Sequence, residues 1–174
     1  MKKTLLIYWP AGGNVERVSK LISKQMENLD LKMVTELTPS TLADYDLIIA
    51  GGSTVGAEIW EEAMQNDRWA PFLLKMREKN VNLSGKCLAL FGLGDQVLYP
   101  EHFVDSMAIL RDEFSRFGVK VVGKWPAEGY KFTSSESLEG SYFIGLALDE
   151  DNEPEKTATR LASWLEQVKK EAGF

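Results

Sequence analysis

Residues 86–101 read Lys86-Cys87-Leu88-Ala89-Leu90-Phe91-Gly92-Leu93-Gly94-Asp95-Gln96-Val97-Leu98-Tyr99-Pro100-Glu101. Residues 86–91 form a short apolar run, the mark of a strand covered on both faces. The run flows into two glycines, where the backbone can approach another group closely. Tyr99 then offers an aromatic face. A plain strand end needs fewer special residues than this.

Outward from that stretch the same alternation repeats. Residues 3–8 and 46–51 read as buried strands, 31–36 as a half-covered strand, and 119–123 as a strand that resumes at 141–147 after a polar, glycine-containing excursion over 124–140. Between them lie helical patterns. Residues 14–28 carry Val18, Leu21, Ile22, Gln25 and Met26 near a 3.6 period, with Asn14 as N-cap. Thr38-Pro39-Ser40 starts a short helix with Leu42 and Tyr45 inward. Asp67–Glu78 turns Trp69, Phe72, Leu73 and Met76 inward. Glu101–Phe117 carries Phe103, Met107, Leu110, Phe114 and Phe117 on one stripe, closed by Gly118. Residues 155–170 face the core through Ala158, Leu161, Trp164, Leu165 and Val168. Strands alternating with helices predict an α/β fold with a parallel sheet covered on both faces. With no repeat or linker, residues 1–174 read as one domain.

Composition narrows the function. The 174 residues are 44% hydrophobic and 26% charged, an ordinary globular balance. One cysteine, Cys87, excludes an internal disulfide, and one histidine, His102, makes a His/Cys zinc site untenable. The formal charge is −6, and the whole excess lies in residues 88–174. Nucleic acid is disfavoured as a partner, because phosphate contacts need clustered Lys and Arg. No apolar run is long enough to cross a bilayer, and the N-terminal apolar run is too short for a signal peptide. The expected location is the cytoplasm.

In open α/β sheets, ligands bind beyond the carboxyl ends of the strands. Three loops leave strand ends there. Loop one is Trp9-Pro10-Ala11-Gly12-Gly13-Asn14-Val15, a turn into a helix whose N–H groups attract an anion. It is neither a Walker A motif nor a dinucleotide fingerprint. Loop two is 51–60, where Ser53 and Thr54 offer hydroxyls and Gly56 frees a peptide unit to rotate. Loop three is 92–101. Each also reads as an ordinary surface turn.

Taken together, Ala89–Gln96 with Tyr99-Pro100-Glu101, then 121–132, then 143–152, resemble the long-chain flavodoxins over nearly the whole chain. The resemblance implies a three-layer flavodoxin-like fold: a five-stranded parallel sheet in the order 2-1-3-4-5, helices on both faces, and a fifth strand split by the excursion. It implies one non-covalently bound flavin mononucleotide (FMN) and low-potential one-electron transfer between redox proteins. Those partners are a flavin reductase upstream and an oxidoreductase or radical enzyme downstream, served by a monomer. No residue is catalytic, since the flavin carries the chemistry.

By the same resemblance Tyr99 stacks on the flavin ring, and the backbone around Leu93, Gly94 and Asp95 meets its pyrimidine edge. Asp149 matches an acid near the ribityl chain. Thr54, beside Ser53, matches a phosphate contact, and Val55 stands where many members place tryptophan. Trp60 is a candidate to cover the ring instead. Gly56-Ala57 matches the peptide that turns when the flavin gains an electron. Carboxylates at Glu58, Glu61, Glu62, Asp95 and Asp149 then oppose the charge of the reduced flavin. Loop one departs from the family pattern of hydroxyls: Pro10, Gly12 and Val15 lack them, and Pro10 lacks an N–H as well. Three lost bonds to a charged group forfeit at most about 4–9 kcal/mol. The N–H groups of Ala11, Gly12, Gly13, Asn14 and Val15 remain. FMN binding weaker than the family norm is expected, with a narrowed preference for FMN over riboflavin.

Two rival functions are a flavin-dependent NAD(P)H:quinone oxidoreductase and a flavodoxin-like regulatory module without FMN. His102 and Cys87 read as a surface and a packing residue. Trp69, Trp125 and Trp164 read as packing. The run Asp149-Glu150-Asp151 with Glu153 and Glu155 reads as a docking edge or a solvated face.

Overall fold

Strands β1 (Thr4–Tyr8), β3 (Leu47–Gly52) and β4 (Cys87–Leu93) are nearly continuous apolar runs, and all but Cys87 of their residues are buried. Strands covered on both faces need this composition. β2 (Leu29–Met33) alternates half-buried and exposed residues, as an edge strand does. The computed structural model describes residues 1–53 and 66–174. The strand order is β2-β1-β3-β4-β5, all parallel, with β5 at Lys120–Val122.

Along one edge Cys87–Gly92 of β4 pair with the whole of β3. Along the other, Cys87–Ala89 pair with β5, and Phe91–Leu93 pair with Leu146–Leu148. Between these two partners the chain makes a separate antiparallel sheet from β6 (Trp125–Pro126), β7 (Leu138–Glu139) and β8 (Tyr142–Phe143), in the order β6-β8-β7. The single strand expected at 141–147 is therefore two: β8 belongs to the small sheet, and β9 (Leu146–Leu148) to the large one. Gly145 divides them. A Cβ there would overlap the Leu90 carbonyl, so only glycine lets the chain pass this close to β4.

The two-residue strand period sorts side chains into two cores. Leu5, Ile7, Ile48, Ala50, Leu88 and Leu90 point to one face, where α2 (Trp69–Glu78) and α3 (Ser106–Ser115) pack. Leu6, Tyr8, Leu47, Ile49, Ala89 and Phe91 point to the other, under α1 (Asn14–Ser23) and α4 (Thr157–Ala172). Among the described residues the largest wholly buried side chains, Trp69 and Trp164, anchor opposite faces. Truncating a residue of this size costs about 3–5 kcal/mol.

Several boundaries differ from the sequence reading. α1 starts with Asn14 as its first helical residue, Gly13 is the N-cap, and the helix stops at Ser23, leaving Gln25 exposed. The strand expected at 31–36 ends at Met33. There Glu36 accepts the Met33 N–H at 2.7 Å and closes a 3-10 turn. α3 begins at Ser106 and not at Glu101, because Val104 has φ +52° and breaks a right-handed helix. Phe103 is still fully buried, but in an aromatic cluster with Phe132 and Phe143. In α4 it is Thr157 that is buried; Ala158 is exposed. α2 keeps all four expected inward residues. It is capped by Asp67, whose Oδ1 accepts the Trp69 N–H at 2.8 Å.

Candidate functional site

The carboxyl ends of β1, β3 and β4 end level, with Tyr8 in register with Gly51, Gly51 with Phe91, and Gly52 with Gly92. From β1 the chain goes to one side for β2, then returns past β1 for β3. That reversal is the topological switch point, where a crevice opens beyond the strand ends. Loops one and three meet this edge. Of loop two, Gly51, Gly52 and Ser53 are described. Thr54, Val55, Gly56 and Ala57, with Glu58, Trp60, Glu61 and Glu62, lie outside the described residues.

The strand ends are held from beneath. Gly51 carbonyl accepts from the Trp9 N–H at 3.4 Å and from Trp69 Nε1 at 3.2 Å. Trp9 Nε1 donates to the Asn66 carbonyl at 2.6 Å. Ser106 Oγ donates to the Gly52 carbonyl at 3.4 Å.

Loop one leaves the sheet through a cis Trp9–Pro10 peptide and turns at Gly12, φ +80°. Ala11, Gly12, Gly13 and Asn14 are exposed, and nothing lies within 4 Å of a Cβ placed on either glycine. The first-turn N–H groups of a helix have no intrahelical partner and carry its positive dipole end. One N–H of this loop is taken: Gly12 donates to Glu16 Oε2 at 2.5 Å, while Glu16 Oε1 pairs with Lys20 at 2.7 Å. Lys20, then the Gly12 N–H, hold the Glu16 carboxyl below the usual range. Val15 is 3% exposed and packs in the core under α1, so its side chain does not face the loop.

Loop three is folded on Asp95. Its Oδ1 accepts the N–H groups of Val97 at 3.0 Å and Leu98 at 2.9 Å, and its carbonyl accepts that of Tyr99 at 2.9 Å. Partial burial pushes the Asp95 carboxyl up. Donors at Leu98, Asn152 and Val97 outweigh it, so the group sits below its usual range. The turn thrusts outward three large apolar residues, Val97, Leu98 and Tyr99, exposed by 63%, 71% and 45%. Leu93 is buried, and the Gly94 N–H donates to the Leu148 carbonyl at 3.0 Å.

Behind loop three lies a buried polar knot. Asp149 is fully buried and accepts from the Gln96 N–H at 3.1 Å, the Asp151 N–H at 3.2 Å, the Asn152 N–H at 3.0 Å, and the Asn152 side chain. Gln96 is 2% exposed and accepts the Lys131 N–H. Glu150 is held by Arg17 and Thr157, and Glu153 by Lys156 and Arg160. Burial, then the charges of Asp95, Asp149 and Glu150, push the Asp151 carboxyl up. The acidic run is thus neither a docking edge nor a solvated face as a whole: Asp149, Glu150 and Glu153 are interior, covered by basic and amide partners, of which Arg17, Lys156 and Asn152 are themselves exposed.

The excursion braces the same loop. Pro100 carbonyl accepts from Thr133 at 2.7 Å and Ser134 at 3.0 Å, and Phe103 stacks on Phe132 at 5.6 Å. Trp125 Nε1 donates to the Tyr130 hydroxyl at 3.0 Å, so this tryptophan is structural. His102 lies on the surface, with Nδ1 3.1 Å from Asp105. Cys87 is partly buried at the start of β4. Among the described residues no group of His, Cys, Asp and Glu is placed to hold a metal, and no helix is long and apolar enough to cross a membrane.

The edge therefore offers exposed backbone donors at a helix start on one side and an exposed aromatic and aliphatic face on a pinned loop on the other. Those chemistries suit a planar ring carrying an anionic tail. Gln96, Asn152, Glu16 and Arg17 did not stand out in the sequence. Asp95, with backbone N–H donors two and three residues on, signals a turn, but nothing in the spacing reveals that residues 149–152 fold back onto it.

The model of the family described as Flavodoxin matches residues 6–164. A flavodoxin of Klebsiella pneumoniae is 39% identical over 164 residues, covering 91% of this chain and 92% of that protein. One of Synechocystis is 35% identical over 172 residues, covering 97% of each. Among solved structures, Fusobacterium nucleatum flavodoxin bound to flavin mononucleotide superposes with a TM-score of 0.83 at 27% identity, over 98% of this chain and 99% of that one.

Proposed function

The chain belongs to the flavodoxin family, whose members are electron-transfer proteins and not enzymes, and from that premise we propose that it binds FMN and carries single electrons at low potential between redox proteins. The observation that carries the reading is the meeting, at one sheet edge, of the helix-start donors of loop one with the pinned, apolar loop three. When bound, the flavin supplies the electron chemistry. The protein's part is to hold the flavin and to set its potential.

In this reading the N–H groups of Ala11, Gly13, Asn14 and Val15 take the phosphate, with Gly12, Ser53 and Thr54 beside it. Val55, Gly56 and Ala57 line the inner ring face. Tyr99 lies over the outer face, and the backbone of Leu93, Gly94 and Asp95 meets the ring edge. Stacking on Tyr99 contributes about 0.5–1.5 kcal/mol beyond burial. Asp95 and Asp149 concentrate negative charge behind the ring, which disfavours added electrons and lowers the potential. Asp149, wholly engaged by the 96 and 151–152 segments, acts through the loop.

Phosphate binding is weak for the family. Pro10 donates nothing, Val15 is packed away, and Glu16 already takes the Gly12 N–H. The protein is a cytoplasmic monomer of one domain that meets a flavin reductase and an oxidoreductase or radical enzyme. β5 and β9, in line along β4, are the two halves of one strand position.

The test is the visible spectrum of protein purified without added flavin, followed by titration with FMN. Flavin bands, or their appearance on titration, are expected. A protein that stays colourless in excess FMN overturns the reading, and NAD(P)H-driven quinone turnover would replace the carrier by an oxidoreductase.

A further inference from the structure

Asn152 lies in the turn after β9, and its side-chain nitrogen is 2.8 Å from Asp95 Oδ1, 3.1 Å from Asp149 Oδ1 and 2.9 Å from Asp149 Oδ2. An amide nitrogen has two protons to give, so these two carboxylates use it fully. Each carboxylate in turn folds a different part of loop three. Asp95 gathers the Val97 and Leu98 N–H groups, and Asp149 the Gln96 N–H. Asn152 joins the two. It is also a neutral member of a crowded set: Glu150 is matched by Arg17, and Glu153 by Lys156 and Arg160, whereas Asp95 and Asp149 meet across the Asn152 amide. Two carboxylates sharing one donor site repel each other unless something between them donates to both.

We propose that Asn152 is a positioning residue for the flavin ring, fixing the backbone of Asp95–Leu98 from behind without touching the flavin. The proposal rests on the reading of loop three as the ring-binding loop. It makes a distinction that loop one cannot make: Asn152 acts on the ring side, so riboflavin and FMN feel it alike.

The experiment uses the full chain stripped of flavin and titrated calorimetrically with riboflavin and with FMN. The variants are Asn152→Ala, Asn152→Ser and Asn152→Asp, each checked as folded by circular dichroism. Asn152→Ala should raise both dissociation constants by the same factor, about 10-fold, the effect of one charge-assisted hydrogen bond. Asn152→Ser keeps one donor and should fall between it and the parent. Asn152→Asp adds a third carboxylate and should be worst. The visible circular dichroism of bound flavin should change in Asn152→Ala, a signature that a loss of overall stability would not produce. Riboflavin constants within about twofold of the parent in all three variants overturn the proposal. A parent protein that binds neither flavin overturns the ring-loop reading itself.

Discussion

Glu16 Oε2 accepts the Gly12 N–H at 2.5 Å, so a carboxylate of the protein stands inside the loop assigned to the phosphate. Its charge is balanced on the far side by Lys20 at 2.7 Å. A phosphate binding the neighbouring N–H groups approaches a like charge. Glu16→Gln keeps an acceptor for Gly12 and removes that charge. The FMN dissociation constant should fall about 10-fold, and riboflavin affinity should barely change. Parallel calorimetric titrations check both numbers. An unchanged ratio of the two constants would show that Glu16 is too far from the phosphate to matter.

Restoring the missing hydroxyls is unequal in cost. Pro10 lies in the partly exposed loop, and Pro10→Ser should tighten FMN. Val15→Thr buries a hydroxyl in an apolar core and should cost about 1–3 kcal/mol in urea unfolding. Gly12→Thr meets open space, but φ +80° strains any side chain, which costs about 1–2 kcal/mol. A stable, tight-binding Val15→Thr would place that side chain toward the loop.

Gly145→Ala should be among the most damaging small changes. The added methyl overlaps the Leu90 carbonyl, so β9 must leave β4 or the backbone must shift. A loss of about 3 kcal/mol is expected by chemical denaturation. Gly129→Ala, also glycine but with nothing within 4 Å, is the control and should lose only about 1 kcal/mol from its positive φ.

Alkaline titration reads three of the five tyrosines. The Tyr45 hydroxyl donates to Asp30 at 2.7 Å, and that bond, with burial, raises its pKa to about 12. Burial raises Tyr130 to about 12 and pushes Tyr8 up as well. An unfolded tyrosine releases its proton near pH 10. Between about pH 10 and 12 the folded chain binds more protons than the unfolded one, so stability falls as pH rises. Absorbance at the phenolate band should show late ionisation that moves to about pH 10 in denaturant.

The layered fold was legible because burial writes itself into periodicity. Leu5 to Tyr8 and Leu47 to Gly52 had to be interior strands, and Trp69, Phe72, Leu73 and Met76 a buried helix face. Failures came where tertiary contacts overrode local pattern. Phe103 has helical spacing from Met107 and is as buried as the pattern demands, yet it is held by Phe132 and Phe143 from the excursion. Asp149, Glu150 and Glu153 read in the sequence as a docking edge or a solvated face, because composition cannot show that Arg17, Lys156, Arg160 and Asn152 converge on them. Loop three could be singled out by its glycines and Tyr99, but not the partners that hold it, which arrive from residues 131–134 and 148–152.

The pairing of β4 with β9 gives the site an order in time. Residues 87–93 leave the ribosome well before 146–152 do, and until the later segment arrives the outer edge of Phe91–Leu93 has no neighbour. By then β1, β2, β3 and the first half of β4 have their partners, and the helix that caps loop one is made. Loop one, the proposed phosphate end, can form on the nascent chain, whereas loop three, the proposed ring end, waits for Leu148, Asp149 and Asn152. A chain caught midway through synthesis is thus a sheet with half a cradle, and loading with cofactor belongs to the finished protein.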